Sequence, residues 1–343
     1  MKTIAIVSTQ LQFINAVEFV KKNGAEKNTL IIDTANKKRT EQLKRIMDLD
    51  LYDKVFSDIY YTSITNSKNA YIDTIYTKLL LFALSLLYRY NIIIVGNYTH
   101  LKHKYLAQVG LLFKKNAQVV VVDDGTLSFF YPEIRSKEHL TEKCNKSYEK
   151  SKFYRFLFCG NFRRVISSKI NFYSLYELKF STADVVKKNS LAYLSNNLTT
   201  IGGGIGFKSF RKIIVGQPLL QLGLISEKDY INTISKIIGT CDPDRVLYVS
   251  HPAEDSYPFS SLGIKIVKFQ LPFECLVKLL ESSVEIYGFT SSALTNAKLL
   301  CPNLQVVAVD IRSVLHDNSN FIEISSKIYS SFKDNGICIM SLN

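Results

Sequence analysis

Three short polar turns carry most of the reactive groups in this 343-residue chain. Asp123-Asp124-Gly125 follows the apolar run Gln118–Val122, His251-Pro252 follows Arg245–Ser250, and Thr290-Ser291-Ser292 follows Val284–Phe289. Each turn reads as the carboxyl end of a buried strand, where open α/β sheets bind their ligands. A carboxylate within hydrogen-bond reach of a hydroxyl can take its proton as that oxygen attacks. Two adjacent carboxylates facing one cleft raise each other's pKa, but in a turn they more often diverge, leaving one as base and one as scaffold. An imidazole at a strand end can donate to a phosphate as leaving-group charge builds, and Pro252 fixes the backbone that aims it. Serine hydroxyls at a helix start, with the N–H groups beside them, form an anion site. The plainer readings are a turn rich in Asp and Gly and simple N-capping by serine. Three such signals at successive strand ends weigh for chemistry.

The elements that must position these turns alternate along the chain. Thr3–Val7, Asn28–Asp33, Asn91–Val95 and Gln118–Val122 are continuous apolar runs, with helical spacing in Leu11–Lys22, Lys37–Leu49 and Ile72–Arg89. Such runs alternating with helices predict a parallel sheet covered on both faces. The second half repeats the pattern in Lys212–Val215, Arg245–Ser250, Ile264–Phe269, Val284–Phe289 and Leu304–Val309. Helices are expected from Ser226 to Ile238, with Asp229 close to a capping box, and over Ser292–Leu300. Pro272 is placed to start a helix carrying Glu274. The chain therefore divides into two Rossmann-like domains, 1–190 and 191–343. The stretch Asn189–Lys208 is read as a flexible linker; its glycines follow no strand, which argues against a dinucleotide fingerprint. The tail Asn318–Phe332 reads as a helix, which the sequence leaves free to pack back on the first domain.

Composition narrows the classes. The net charge is +13, and Lys137–Ile170 holds nine Lys/Arg against three Glu, interleaved with Phe153, Tyr154, Phe156, Phe158 and Phe162. That segment suits an anionic membrane surface or a solvated excursion, with nucleic acid the weaker alternative. The apolar run Leu79–Leu87 is too short to span a bilayer, and Met1–Ser8 reads as a strand rather than a secretory signal. The expectation is a soluble cytoplasmic protein, peripheral at the inner membrane face if the basic segment binds there. The six cysteines show no metal spacing and read as free thiols. No metal-ligand cluster is evident: Asp242-Pro243-Asp244 matches a metal-binding Asp-x-Asp only literally, since it precedes a strand and reads as a turn.

Two Rossmann-like domains facing across a cleft form the GT-B architecture, and here the motifs carry a resemblance. The chain resembles the bacterial GT-B sialyltransferases, which share an acidic-acidic-glycine motif, a His-Pro motif and a late Ser/Thr pair. The matching residues are Asp123-Asp124-Gly125, His251-Pro252 and Ser291-Ser292, and Gln10 and Asn15 after the first strand are similar to that group as well. A basic residue follows His-Pro in some of these families; here Ala253, Glu254 and Asp255 follow.

The resemblance implies an inverting, metal-independent enzyme without a cofactor. It would move sialic acid from CMP-sialic acid to a sugar hydroxyl, a galactoside of a bacterial O-antigen, lipooligosaccharide or capsule. Asp123 would be the base and His251 the partner of the departing phosphate. Asp124, Gly125, Gln10, Asn15 and Asn97 would line the acceptor side; Gly216, Gln217, Pro252, Thr290, Ser291 and Ser292 the donor side. Glu274 would accept both ribose hydroxyls, the plainer reading being an exposed first-turn acid favoured by the helix dipole. His100 and His103 are weaker candidates for touching acceptor. The rivals are transfer of another CMP-linked acidic sugar, a catalytically silent glycan- or nucleotide-binding protein on the same fold, and a membrane-surface scaffold.

Overall fold

The computed structural model describes residues 1–24, 26–62, 70–144, 162–198, 207–316 and 319–342. The chain forms two compact units, Met1–Asn196 and Asn197–Asn343.

The first unit is built on a seven-stranded parallel sheet, with strands β1 (Lys2–Val7), β2 (Lys27–Ile32), β3 (Asp58–Tyr61), β4 (Ile92–Val95), β5 (Gln118–Val122), β6 (Ile170–Ser174) and β7 (Val185–Lys188). Their order is β3-β2-β1-β4-β5-β6-β7. The order reverses between β1 and β4, which pair in register from Thr3 opposite Ile92. Such a reversal opens a crevice at the carboxyl ends of a doubly wound sheet. The central strands are fully buried because helices cover both faces. Those helices are α1 (Gln10–Asn23), α2 (Lys37–Met47), α3 (Ala70–Tyr88), α4 (Leu101–Phe113), α5 (Tyr131–Cys144), the short α6 (Arg163–Ser167) and α7 (Ala192–Asn197). Helix α1 starts where the Thr9 side chain accepts the Gln12 N–H, and it ends at Gly24 in the left-handed region.

The second unit has six parallel strands: β8 (Lys212–Val215), β9 (Val246–Val249), β10 (Lys265–Val267), β11 (Glu285–Gly288), β12 (Gln305–Asp310) and β13 (Cys338–Ser341). Their order, β10-β9-β8-β11-β12-β13, repeats the arrangement of the first unit, with the reversal between β8 and β11. Helices α8 (Glu227–Ile238), α9 (Ser292–Leu300) and α10 (Ser319–Asp334) flank the sheet. The Ser226 hydroxyl caps α8 by accepting the Asp229 N–H at 3.1 Å. Pro272 starts only a short 3₁₀ turn, Phe273–Cys275.

Several expectations change. The expected linker is in part packed structure: Asn189, Leu191 and Leu194 have no exposed surface, and Glu18 accepts the Tyr193 and Leu194 N–H groups at the start of α7. Residues 199–206 lie outside the described residues. Helix α10 packs on β12 and β13 of its own unit, in register with the polar and apolar faces of its sequence. The central part of the basic segment, residues 145–161, also lies outside the described residues. Its C-terminal flank is split between two roles. Arg163 and Arg164 are exposed, while Val165 and Ile170 are buried in the first unit's core. Among the described residues no helix is long and apolar enough to cross a membrane.

Candidate active site

The acidic turn sits at the end of β5, and its two carboxylates diverge. Asp123 is turned inward, with 2% of its surface exposed. Its Oδ1 accepts from the Ser174 hydroxyl at 2.7 Å and its Oδ2 from the Leu175 N–H at 2.5 Å, both at the end of the neighbouring strand β6. Burial pushes its pKa up to about 6, against these bonds and one from Ser128, and the Asp124 charge adds to the rise. Gly125 closes the turn with φ of 65°, a left-handed conformation that suits glycine.

Asp124 is partly exposed. Its Oδ2 accepts from Asn97 Nδ2 at 2.8 Å, and Gln12 also bonds it. Burial raises its pKa too, opposed by these two amides and by the charges of Arg39 and His100. Asn97 follows β4, and its Oδ1 accepts the N–H groups of Thr99 and His100 at the entry to α4. One amide therefore ties the acidic turn to the start of that helix.

Two expected contact residues have other positions. Asn15 is fully buried, its Nδ2 donating to the Asp123 carbonyl at 3.1 Å and its Oδ1 accepting from Asn189 at 2.9 Å. It supports the acidic turn from behind and cannot line a binding surface, a correction that follows from its place on the core face of α1. Gln10 is half-buried and donates to the Gln42 carbonyl in α2 at 2.8 Å.

In the second unit, the turns after β8, β9 and β11 converge because these strands are neighbours in the sheet. His251 is partly exposed, and its Nδ1 accepts the Ala253 N–H at 3.1 Å. That bond fixes the neutral ring's proton on Nε2 and makes the outer nitrogen a donor. Below it stands Glu254, 1% exposed. Its carboxylate accepts from the His251 N–H at 2.6 Å, from Tyr248 at 2.6 Å and from Tyr230 at 3.3 Å. Burial raises its pKa, while the two tyrosines and the His251 amide pull it down.

Gly216, expected on the donor side, answers to a packing requirement. A Cβ at Gly216 would lie 2.4 Å from Glu254 Oε2 and 2.5 Å from the Tyr248 hydroxyl oxygen. Its glycine is set by the packing of this pillar. Gln217 reaches across the reversal between β8 and β11: its Oε1 accepts the Thr290 N–H at 2.7 Å, and its Nε2 meets the Thr290 hydroxyl at 3.3 Å. Ser291 caps α9, its hydroxyl accepting from Ala293 N, and Ser292 is partly exposed beside it. Pro252 is partly exposed in the His251 turn.

Glu274 is not the exposed acid of the plainer reading. It is 6% exposed and accepts from Asn296 Nδ2 in α9 at 2.5 Å, with burial raising its pKa.

Sequence reasoning missed Ser174, Gln12 and Glu254. Glu254 carries a signal, an acid three residues past a strand-end histidine. Ser174 carries none, because β6 follows directly on the basic segment.

Asp33, His100 and His103 lie close enough to suggest a metal centre. Their bonding does not fit one. Lys102 Nζ already sits 2.8 Å from Asp33 Oδ1. His103 is fully buried, its Nδ1 accepts the Asn97 N–H and its Nε2 bonds the Ser8 hydroxyl at 3.0 Å. Both imidazole nitrogens are spent, and burial drives the His103 pKa down to about 3. Because Nδ1 accepts, Nε2 must donate, so His103 does not activate Ser8 as a nucleophile either.

A sequence model of the family described as alpha-2,8-polysialyltransferase (POLYST) matches residues 3–310. The chain belongs to this family. Both clusters of strand-end residues fall inside the matched region. No curated protein sequence matches the chain. Among solved structures, the fold is similar to a UDP-N-acetylglucosamine 2-epimerase from Listeria monocytogenes, with 11% identity, 97% of this chain and 89% of that one covered, and a TM-score of 0.53. It is also similar to an alpha/beta-galactoside alpha-2,3-sialyltransferase from Photobacterium phosphoreum, with 11% identity, 98% of each chain covered and a TM-score of 0.50. At these identities the likeness is one of fold: two Rossmann-like α/β units, the GT-B layout. Family membership makes the protein a glycosyltransferase that transfers sialyl groups to a glycan, using a nucleotide-sugar donor.

Proposed function

We propose that the chain is an inverting sialyltransferase that moves sialic acid from CMP-sialic acid to a hydroxyl of a bacterial surface glycan. The observation that carries the mechanism is Asp123, a buried carboxylate held by fixed donors and raised to about 6. A base tuned toward neutral pH balances its basicity against its fraction ionised. The acceptor O–H gives its proton to Asp123 as its oxygen attacks the anomeric carbon. The bond from that carbon to the phosphate oxygen breaks, and CMP leaves. His251 Nε2–H, oriented by the Ala253 amide, donates to the departing phosphate, with the Ser291-Ser292 turn and the start of α9 as further donors. Gln217 and Glu254 hold those turns in place. Glu274 is retained as the ribose partner. In this reading the first unit takes acceptor and the second takes donor.

The family's description favours a sialylated acceptor and an α2,8 linkage over the galactoside suggested by the motifs. The partial exposure of Asp124 favours a second assignment, in which Asp124 is the base and Asp123 its scaffold. No divalent ion is needed, since fixed N–H and hydroxyl donors meet the phosphate. Incubation with CMP-sialic acid and a panel of galactosides and sialosides, followed by linkage analysis, tests the reaction. Absence of transfer to every acceptor would overturn it. Single-turnover rates for Asp123→Asn and Asp124→Asn decide between the two carboxylates.

We also propose that Lys137–Ile170 brings the enzyme to an anionic membrane, each Lys or Arg near the surface adding about 1 kcal/mol. Binding to phosphatidylserine vesicles should fall with salt, and no binding at low salt would refute this.

A further inference from the structure

A cavity of about 540 Å³ opens in the first unit between the start of α4 and the first half of α3, with Phe162 closing one side. Its volume lies in the range of small-molecule sites. The walls differ in character. Leu81 and Phe162 are apolar, whereas Lys78, His100 and Lys102 bring positive charge or polar nitrogen. Lys78 Nζ stands 5.8 Å over the Tyr105 ring, so a cation and a phenol share one wall.

One buried polar group lining this cavity, a tyrosine hydroxyl, is unsatisfied. Tyr105 is 3% exposed, and its hydroxyl has no hydrogen-bond partner among the described residues. His100 Nδ1 lies 3.5 Å from Asp33 Oδ2, on the same carboxylate that Lys102 holds. An unpaired buried hydroxyl costs about 1–3 kcal/mol, and a ligand hydroxyl or carbonyl would recover that. The cavity is coupled to the acidic turn, because the Asn97 side chain that holds Asp124 also accepts the Thr99 and His100 N–H groups at its rim.

We propose that this cavity is the subsite for an acidic sugar residue of the acceptor. Lys78 meets the sugar's carboxylate, Tyr105 bonds one of its oxygens, and Leu81 and Phe162 cover its acyl or ring carbons, while Lys102 stays paired with Asp33. A neutral hexose would use the hydroxyl contact but gain nothing from the Lys78 charge. The inference rests on the sialyl-transfer reading for its ligand but not for its test.

The test is binding without donor. Calorimetry with an α2,8-linked sialic acid trimer should show saturable binding to the full chain. Lys78→Ala should weaken it tenfold or more, and Tyr105→Phe several-fold with the fold intact. In turnover, KM for the trimer should rise in both variants while KM for CMP-sialic acid and kcat hold. Unchanged trimer affinity in both variants overturns the subsite. A galactose trimer that binds equally well, and weakens equally, overturns its preference for acid. Variant-sensitive trimer binding without transfer to any acceptor would keep the subsite and remove the transferase reading instead.

Discussion

Replacing Asp123 by asparagine removes a charge but almost no volume, so its effects separate charge from packing. Burial raises this carboxyl from an ordinary value of 3.8 to about 6. Two pKa units correspond to about 3 kcal/mol of differential stability. The sign follows from proton linkage. Between pH 4 and 6 the folded state holds a proton that the unfolded state has lost, so stability falls as pH rises through this window. Below pH 4 both states are protonated and the effect vanishes; above pH 6 the full cost of the buried charge is present. The Asp123→Asn variant would escape that cost but give up part of the bonding from Ser174 and the Leu175 amide, each net bond worth about 0.5–1.5 kcal/mol. The variant should therefore be about 1–2 kcal/mol more stable than the parent at pH 7.5. For a unit of this size that is a rise of about 2–8 °C in Tm, shrinking to nothing or reversing by pH 4. Its transfer rate should fall by about 10²–10⁴-fold. The parent's kcat/KM should lose a decade per pH unit below pH 6. Differential scanning fluorimetry across pH, together with initial rates, measures all three. A variant that is less stable at pH 7.5 and turns over normally would refute the reasoning, since the carboxylate would then be scaffold alone.

Other outcomes follow from the second unit and the cores. His251→Ala should weaken CMP binding and slow transfer together; unchanged CMP affinity by calorimetry would remove it from the phosphate site. Gly216→Ala should cost about 1–3 kcal/mol by overpacking Glu254 and Tyr248, and it should weaken CMP binding by shifting the His251 turn, so wild-type values in both would show that the pillar has slack. Activity should survive EDTA, because Asp33 is already paired with Lys102 and both His103 nitrogens are bonded to Asn97 and Ser8; loss in chelator with rescue by magnesium or manganese would contradict this. Arg135→Met should destabilise the first unit by about 3–5 kcal/mol, because Arg135 is fully buried, bidentate on Asp184 and bonded to the Ile166 and Ser168 carbonyls. A denaturant midpoint close to the parent's would mean that Asp184 finds another partner.

What the sequence determined by itself was the set of local signals. Continuous Val/Ile/Leu runs can be covered only from both faces, so Gln118–Val122 and Lys212–Val215 were legible to the residue. Capping chemistry fixed the starts of the helices at Ser226 and Ser291. Turns at strand ends marked Asp123, His251 and Thr290, because a parallel sheet leaves its carboxyl ends open. Strands β7 and β13 were not legible: Val185–Lys188 and Cys338–Ser341 are edge strands, half exposed, with too few apolar residues for a pattern. Strand β6 was hidden behind the basic segment, although Ile170, Phe172 and Tyr173 are core residues. Tertiary structure alone decided what each polar side chain faces. The roles of Asn15, Gly216 and Glu254 come from residues at a distance along the chain: Asn189, Tyr248 and Tyr230. Which of two neighbouring carboxylates is buried depends on donors brought in by other strands, and no local pattern encodes those donors.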